Sequence, residues 1–303
     1  MWRLRSWKSS PRLALTALVG VTAVWGWTFL IVKDAIQRMP VMDFLAVRFT
    51  LAAIVMFALR PTCLRRMSRR GWWRGIILGI LLGLAYITQT QGLLYTSPAI
   101  SGFITGMSVV FTPVVAWLLL RQKIGPRTWL AVGLACLGLA LLSLHGWTFG
   151  TGELLTLACA IFVAFHIIGL GQWSAKHETY GLALIQIATV AVISLIAAAP
   201  GGITMPPDTE VWGTIGITAI LATAVAFFVQ TWAQSLVSPT HTAVVLTMEP
   251  VFAGVFSVAL GGERVTLRII LGAFCVLAAM FIAQLKSGPR GRPDRSALRQ
   301  GMP

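Results

Sequence analysis

The chain has 303 residues, of which 57% are hydrophobic and only 11% are charged. Soluble domains carry about 25% charged residues, so this composition excludes an ordinary water-soluble protein. The net charge of +15 does not indicate a nucleic-acid-binding protein, because the basic residues lie at the ends of apolar stretches, where they set membrane topology.

Apolar stretches of membrane-spanning length follow one another along the chain. We predict ten transmembrane helices, at 13–32, 42–60, 74–94, 98–120, 128–145, 152–171, 180–199, 211–233, 240–260 and 266–285. Each approximates the ~20 residues that cross the hydrocarbon core of a bilayer. The first stretch is too long for the apolar core of a cleaved signal peptide, so we expect a retained span after a basic N-terminus at 1–12. Residues 286–303 are polar and basic, and they predict a disordered tail.

The distribution of Lys and Arg predicts the orientation of the chain. Nineteen of them lie before span one, between spans two and three, four and five, and six and seven, and after span ten, whereas only four lie on the opposite side. Basic residues are retained in the cytoplasm. We therefore expect a multi-pass protein of the cytoplasmic (inner) membrane with both termini in the cytoplasm.

The chain resembles itself at an offset of 141 residues. The stretch AYITQTQGLLYTSP at 85–98 matches AFFVQTWAQSLVSP at 226–239, so that Gln89 corresponds to Gln230 and Pro98 to Pro239. Each half, 13–145 and 152–285, then has five spans. Because five is odd, the second half must enter the membrane in the opposite direction. Inverted repeats of this kind build many secondary transporters, which bind substrate near the midplane between the halves. The predicted fold class is an all-α membrane protein made of two inverted five-helix repeats.

Three segments resemble the EamA-type branch of the drug/metabolite transporter superfamily. They are AVWGWTFLIVKDAI at 23–36, MDFLAVRFTLAA at 42–53 and LTMEPVFAGVFSVALGGERVTLRIILGAFCVLA at 246–278. The resemblance implies ten spans and transport of amino acids or other metabolites, and it leaves the substrate open. The first half departs from the pattern, because Ser108 and Val109 stand where the second half has Glu249 and Pro250.

Ionisable side chains within spans are costly and are therefore candidates for function. Glu249 lies near the middle of span nine, and we expect either a proton-coupling or substrate-amine site or a buried carboxylate bonded to Arg48 or to helix ends. Arg48 lies within span two, where it could contact an anionic substrate group, reach the interface, or pair with Asp43 or Glu249.

Other polar and aromatic side chains within the spans are further candidates for the substrate path. Gln89 and Gln230 could face a central cavity or bond neighbouring helices. His166 in span six could be a structural hydrogen bonder or a proton relay. The aromatic candidates could line a cavity or pack in the core and against lipid; they are Trp25, Tyr86, Phe111 and Phe165.

Four prolines are candidates for helix breaks, since proline removes a backbone donor. Pro98 and Pro239 open their spans, and Pro113 and Pro250 lie inside theirs.

These features predict a secondary transporter that works by alternating access and exports a small organic solute. A lipid flippase of the same fold is the alternative. The G-x-x-x-x-G-K-[ST] nucleotide-binding motif is absent, and the histidines are scattered, so we expect no enzyme activity, no cofactor and no metal. The expected partners are a small-molecule substrate, the lipid bilayer and, if Glu249 titrates, protons, with no nucleic acid.

Overall fold

The computed structural model describes residues 11–120, 125–145, 148–237, 242, 245–262 and 264–284. The predicted candidate Pro239, the basic tail at 286–303 and most of the N-terminal segment 1–12 lie outside these ranges.

The described chain is a bundle of helices. Their bounds are α1 Pro11–Arg38, α2 Val41–Leu59, α3 Arg69–Tyr95, α4 Pro98–Gly106, α5 Ser108–Leu120, α6 Pro126–Ser143, α7 Thr151–Trp173, α8 Thr179–Ala198, α9 Thr209–Ala219, α10 Ala226–Leu236, α11 Met248–Ala259 and α12 Leu267–Gln284. A π-helical turn, Ile220–Val225, joins α9 to α10, so these three form one continuous span. Short 3₁₀ turns lie at Pro61–Arg66, Ser174–Lys176 and Ala199–Gly201.

Seven helical segments among the described residues are long and apolar enough to cross a membrane, and three shorter apolar helices accompany them. The shorter ones are Trp129–Leu141, Met248–Ala259 and Leu267–Ile282, within predicted spans five, nine and ten. Each of the ten predicted spans therefore contains an apolar helix among the described residues. The mixture of exposed and buried apolar side chains on these helices is what a bundle surrounded by lipid requires.

Several helix ends differ from the predicted bounds. Helix α1 continues to Arg38, six residues beyond its predicted end at Val32, and α3 begins at Arg69 rather than at 74. Span five ends at Ser143, because the backbone at Leu144–His145 pairs with Thr148–Phe149 as a two-stranded antiparallel hairpin, β1–β2. The last turns of α1 and the first turn of α3 carry polar side chains and lie beyond the apolar stretch of each helix. Hydropathy alone therefore underestimates the length of these helices.

Helices from the two halves pack closely against one another. The main pairs are α3 with α7 and α8, α2 with α8, α6 with α12, and α11 with α1 and α4. Gly75, Gly79 and Gly83 of α3, which are spaced four residues apart, lie against Ile185, Thr189 and Ile193 of α8, so these small residues permit close approach of the two helices.

Helices that correspond to each other in the internal repeat run antiparallel where they touch. In spans two and seven, the carboxylate of Asp43 accepts a hydrogen bond from the backbone N–H of Thr204, while at the other end the hydroxyl of Tyr180 donates to the carbonyl of Met56. In spans four and nine, Gly102 faces Ala253, and Gly106 faces Pro250.

One end of the bundle is joined by polar contacts, and we call it the Lys33 end (Lys33, Arg38, Thr96, Glu153 and Asp208). The ammonium group of Lys33 donates to the carbonyl oxygens of Leu93 (2.5 Å), Leu94 (3.0 Å) and Thr96 (3.1 Å) at the end of α3. A cation at a helix C-terminus is favourable, because the last carbonyl groups lack helical partners. The hydroxyl of Thr96 donates to the carboxylate of Glu153 at 3.3 Å, and Arg38 forms an ion pair with Asp208 at 2.9 Å. These contacts tie α1, α3, α7 and α9 together.

Candidate functional site

A cavity of about 90 Å³ lies where helices of the two halves meet. Its lining residues are Trp25, Thr28, Phe29, Val32, Arg48, Leu82, Ala85, Tyr86, Gln89, Thr90, Leu93, Thr105, Gly106, Ser108, Cys159, Val163, His166, Phe227, Gln230, Leu246 and Glu249. The walls therefore come from α1, α2, α3, α4, α5, α7, α10 and α11, together with Leu246 just before α11. Apolar side chains predominate, with a few polar groups among them, as in sites for small organic ligands.

Seven of the nine predicted substrate-path residues line this cavity. They are Trp25, Arg48, Tyr86, Gln89, His166, Gln230 and Glu249. Phe111 is partly buried and instead packs against an apolar cluster around α4, α6 and α12. Phe165 is also partly buried and does not line the cavity. Phe111 lies three residues after the lining residue Ser108, and Phe165 directly precedes the lining residue His166.

The lining residues include pairs that correspond in the internal repeat. Trp25 and His166, Tyr86 and Phe227, Gln89 and Gln230, and Ser108 and Glu249 are each separated by the same 141 positions, and all eight line the cavity. The rings of Tyr86 and Phe227 are 6.0 Å apart in an edge-on arrangement. The two halves therefore contribute equivalent positions to one site, with different side chains at three of the four.

Arg48 is only 3% exposed and reaches the cavity from α2. Its Nε–H donates to the hydroxyl of Thr223 at 3.0 Å, and its guanidinium lies 5.0 Å from the ring centroid of Tyr86. A cation over an aromatic face is attracted by the quadrupole of the ring. Within the described part of the chain, Arg48 forms no ion pair with Asp43 or with Glu249. Asp43 instead accepts a hydrogen bond from the backbone N–H of Thr204.

Glu249 enters the cavity from the first turn of α11. An acidic side chain in the first turn of a helix is favoured by the helix dipole. No hydrogen bond or ion pair joins its carboxylate to another described residue. The cavity consequently holds the guanidinium of Arg48 and the carboxyl group of Glu249, which do not pair with each other.

The four prolines do not all act as breaks. Pro98 occupies the first turn of α4, where the Ser97 hydroxyl caps the N–H of Ile100, and Pro250 occupies the first turn of α11. At both places the missing N–H has no helical partner to lose. The helical interruptions are at Met107, between α4 and α5, and at Thr247, just before α11. The repeat equivalent of Met107 is Met248, so the two interruptions differ by one residue. Helix α5 continues through Pro113.

A π-helical turn supports the cavity wall in span eight. Trp25 donates its indole N–H to the carbonyl oxygen of Ala222 at 2.8 Å, and Arg48 binds Thr223 in the same turn. Wide π turns free backbone carbonyls from the regular helical ladder and are common at functional sites. The equivalent stretch of α3, residues 79–84, is a regular α-helix.

Buried hydrogen bonds orient two more lining residues. The imidazole Nε2 of His166 lies 2.7 Å from Oε1 of Gln186, and the Gln186 amide group donates to the carbonyl of Leu182 at 3.0 Å. Gln89 donates through Nε2 to the hydroxyl of Thr105 at 3.1 Å. Gln230 is 3% exposed, and its Oε1 has no hydrogen-bond partner in the described part of the structure.

Several residues around the cavity were missed by sequence reasoning. Phe227 could have been found, because it is the repeat equivalent of Tyr86. Gln186 could also have been found, because it is a polar residue within predicted span seven, as Gln89 is within span three. Thr105 and Cys159 carry no sequence signal, since single threonines and cysteines are common packing residues in membrane helices.

Known proteins resemble this chain over almost its whole length. The model of the EamA-like transporter family matches residues 12–144 and again residues 150–284. The chain belongs to the EamA-like transporter family. This result confirms the resemblance inferred from the sequence, and it makes the protein a multi-pass membrane transporter with a duplicated domain rather than an enzyme.

Two curated relatives carry the same general description. An "Uncharacterized transporter" of Archaeoglobus fulgidus is 34% identical over 276 residues, covering 90% of this chain and 85% of that protein. The "Uncharacterized transporter YoaV" of Bacillus subtilis is 23% identical over 292 residues, covering 88% of this chain and 95% of that protein. A protein of known crystal structure is 18% identical in sequence to this chain. The two structures superpose with a TM-score of 0.65 over 88% of this chain and 96% of that chain, which supports the fold.

Proposed function

We propose that this EamA-like protein is a secondary transporter that exports a small organic solute, an amino acid or another metabolite, by alternating access. The observation that carries the proposal is the central cavity, because both halves line it with residues at equivalent positions. A site placed between two related halves can be exposed first to one side and then to the other when the halves rock.

The proposed architecture is ten transmembrane helices in two inverted repeats, 13–145 and 152–285. Antiparallel contacts between equivalent helices, such as Gly102 with Ala253 and Tyr180 with Met56, support the inversion. The excess of basic residues in alternate connections supports an inner-membrane orientation with both termini in the cytoplasm. In that orientation the Lys33 end faces outward.

The polar groups of the cavity favour a substrate that carries an anionic group and hydrogen-bond donors. Arg48 and Glu249 line the same space and are not paired with each other. A buried charge without a partner is costly, so a ligand that places an anionic group near Arg48 gains electrostatic energy, and Glu249 can form a hydrogen bond with a donor of the ligand. Amino acids carry both a carboxylate and an amino group, and this places them first among the candidate metabolites.

The experiment is flux into proteoliposomes that contain the purified protein, with a panel of labelled amino acids and other metabolites, with and without an imposed pH gradient. Saturable flux of one compound that is absent from empty liposomes supports a carrier, and the response to the gradient separates proton coupling from facilitated diffusion. If no compound of the panel moves but labelled phospholipid is scrambled, the protein is a lipid flippase and the proposal is wrong.

A further inference from the structure

His166 is held in one orientation and one tautomer by Gln186. The Gln186 amide Nε2 donates to the carbonyl of Leu182, so its Oε1 is the atom that faces His166. An amide oxygen only accepts hydrogen bonds, so the proton of the neutral imidazole is on Nε2. The remaining ring nitrogen, Nδ1, is then an acceptor. Among the described residues no donor reaches it, although His166 lines the cavity.

Two other polar residues of the second half also offer hydrogen-bond acceptors to the cavity. Gln230 Oε1 is buried and has no partner among the described residues, and the carboxyl group of Glu249 has no partner there. Leaving such groups unpaired in a buried place is unfavourable, because they lose their hydrogen bonds to water. A ligand that donates hydrogen bonds would remove that cost.

The equivalent residues of the first half differ in this respect. The indole N–H of Trp25, which corresponds to His166, is already bonded to Ala222, and the Nε2 of Gln89, which corresponds to Gln230, is bonded to Thr105. The indole N–H of Trp25 and one N–H of the Gln89 amide are thus engaged, whereas acceptors of the second half are open. The cavity is polarised, with acceptors on the second half and the Arg48 guanidinium from the first.

We propose that His166 is a specificity-determining residue whose Nδ1, together with Gln230 Oε1, accepts hydrogen bonds from an amino group of the substrate. Gln186 is its positioning residue, because it fixes the proton on the far side of the ring. The substrate therefore lies with its amino group toward α7, α10 and α11 and its anionic end toward Arg48. This inference rests on the proposed function and adds the orientation of the substrate and the residue that selects it.

The test compares matched ligands that differ only in the amino group. Binding of leucine and phenylalanine to purified protein is measured against 4-methylpentanoate and 3-phenylpropanoate, which lack it. Hydrogen bonds from a charged amino group predict that the wild type prefers the amino acid by about 10- to 100-fold. In His166→Gln the amide replaces the atom that contacts Gln186 and removes the Nδ1 acceptor, so the preference should fall at least severalfold. His166→Asn keeps a polar atom where Nδ1 lies and should retain more of the preference.

A merely structural role for His166 would weaken both ligands of a pair equally and leave their ratio unchanged. That result, in a His166→Gln protein that elutes as a single folded species, overturns the proposal, and Gln230→Leu provides a second variant with the same criterion. Equal wild-type binding of a pair, with saturable flux in proteoliposomes, overturns the selectivity and leaves the transporter intact. Absence of both binding and flux for every compound overturns the amino-group proposal and the proposed transport of small solutes together.

Discussion

Glu249 is the residue on which proton coupling would depend. It is the carboxylate of the cavity, and its equivalent in the first half is Ser108, so one half alone can carry a proton there. Intramembrane carboxylates in transporters commonly act as proton relays. If flux is proton-coupled, Glu249→Gln should abolish its response to an imposed pH gradient while the protein still folds.

The measurement is proteoliposome flux at equal and unequal internal and external pH. Ser108→Ala is the matched control, because it alters the equivalent position without removing a charge. A Glu249→Gln protein whose flux still follows the gradient would show that protons, if coupled, use another group.

Arg48 offers a second prediction at the scale of residues. Because it bonds to Thr223 and lies over Tyr86 rather than pairing with Glu249, exchanging the two charges should not restore a functional site. Both single neutralisations, Arg48→Met and Glu249→Gln, should impair transport, and Arg48→Glu combined with Glu249→Arg should be no better. Flux in the exchanged double variant that clearly exceeds both single variants would indicate a direct ion pair in another state of the cycle.

His177 lies outside the spans and couples stability to pH. Burial, followed by the positive charges of Arg74 and Lys176, lowers its pKa below the ordinary value of 6.5. Its Nε2 lies 2.9 Å from the guanidinium Nη1 of Arg74, so the neutral ring accepts this hydrogen bond. As pH falls below about 6.5, the unfolded chain binds the proton first, and the free energy of unfolding should decrease.

This effect is measured by thermal unfolding in detergent from about pH 5 to about pH 8, a range that brackets the ordinary histidine pKa of about 6.5. His177→Gln keeps an acceptor that does not titrate in this range, so it should reduce the loss of melting temperature on acidification. An identical pH dependence in the variant and the wild type would assign the loss to other groups.

Close helix packing depends on particular glycines at the scale of elements. A Cβ atom at Gly26 of α1 would lie 2.6 Å from the Cβ of Phe252 and 2.7 Å from the backbone nitrogen of Ala253 in α11. The backbone of α11 cannot move away without disturbing Glu249 and the cavity. We expect Gly26→Ala to destabilise the protein by about 1–3 kcal/mol, as overpacking typically does.

Gly20 of the same helix provides the matched control, since a Cβ there would meet no atom within 4 Å. Gly20→Ala should leave the unfolding temperature unchanged or raise it slightly, because alanine is the better helix former. Equal unfolding temperatures for the two variants would contradict the close contact of α1 with α11.

The proposed alternating access concerns the whole molecule, and it requires the Lys33 end to open on one side of the membrane. Arg38 of α1 forms ion pairs with Asp208 at 2.9 Å and with Glu210 at 3.0 Å. Asp208 directly precedes α9, and Glu210 lies in its first turn. These pairs are exposed to solvent, so each contributes little to the closed arrangement. Arg38→Ala should therefore shift the equilibrium toward a state open at this end by a fewfold, not abolish closure.

Cys159 is a natural reporter for this opening, because it lines the cavity and is buried. With Cys63, Cys136 and Cys275 replaced by serine, a membrane-impermeant maleimide added to the side that the Lys33 end faces should label Cys159 a fewfold faster in Arg38→Ala. High salt should reduce the difference, since it screens exposed ion pairs in the wild type as well. Unchanged labelling would mean that these ion pairs do not contribute to closure.

The sequence by itself determined the membrane class, the approximate positions of the ten apolar helices, the duplication and seven of the side chains that line the cavity. Hydropathy reports spans because a bilayer excludes polar residues from long stretches, and the repeat reports equivalent positions directly. Gln89, Gln230 and Glu249 stood out for the same reason, since polar groups at membrane depth are few.

Only the tertiary structure decided which helix faces meet. The helices of this chain are apolar on all sides, and lipid and protein interior are equally apolar, so no sequence pattern separates the cavity side of Phe165 from that of its neighbour His166. The bond of Arg48 to Thr223, the support of His166 by Gln186 and the π-helical turn under Trp25 join residues far apart in the chain. Such contacts follow from how the two halves pack, because packing alone brings their polar groups within bonding distance.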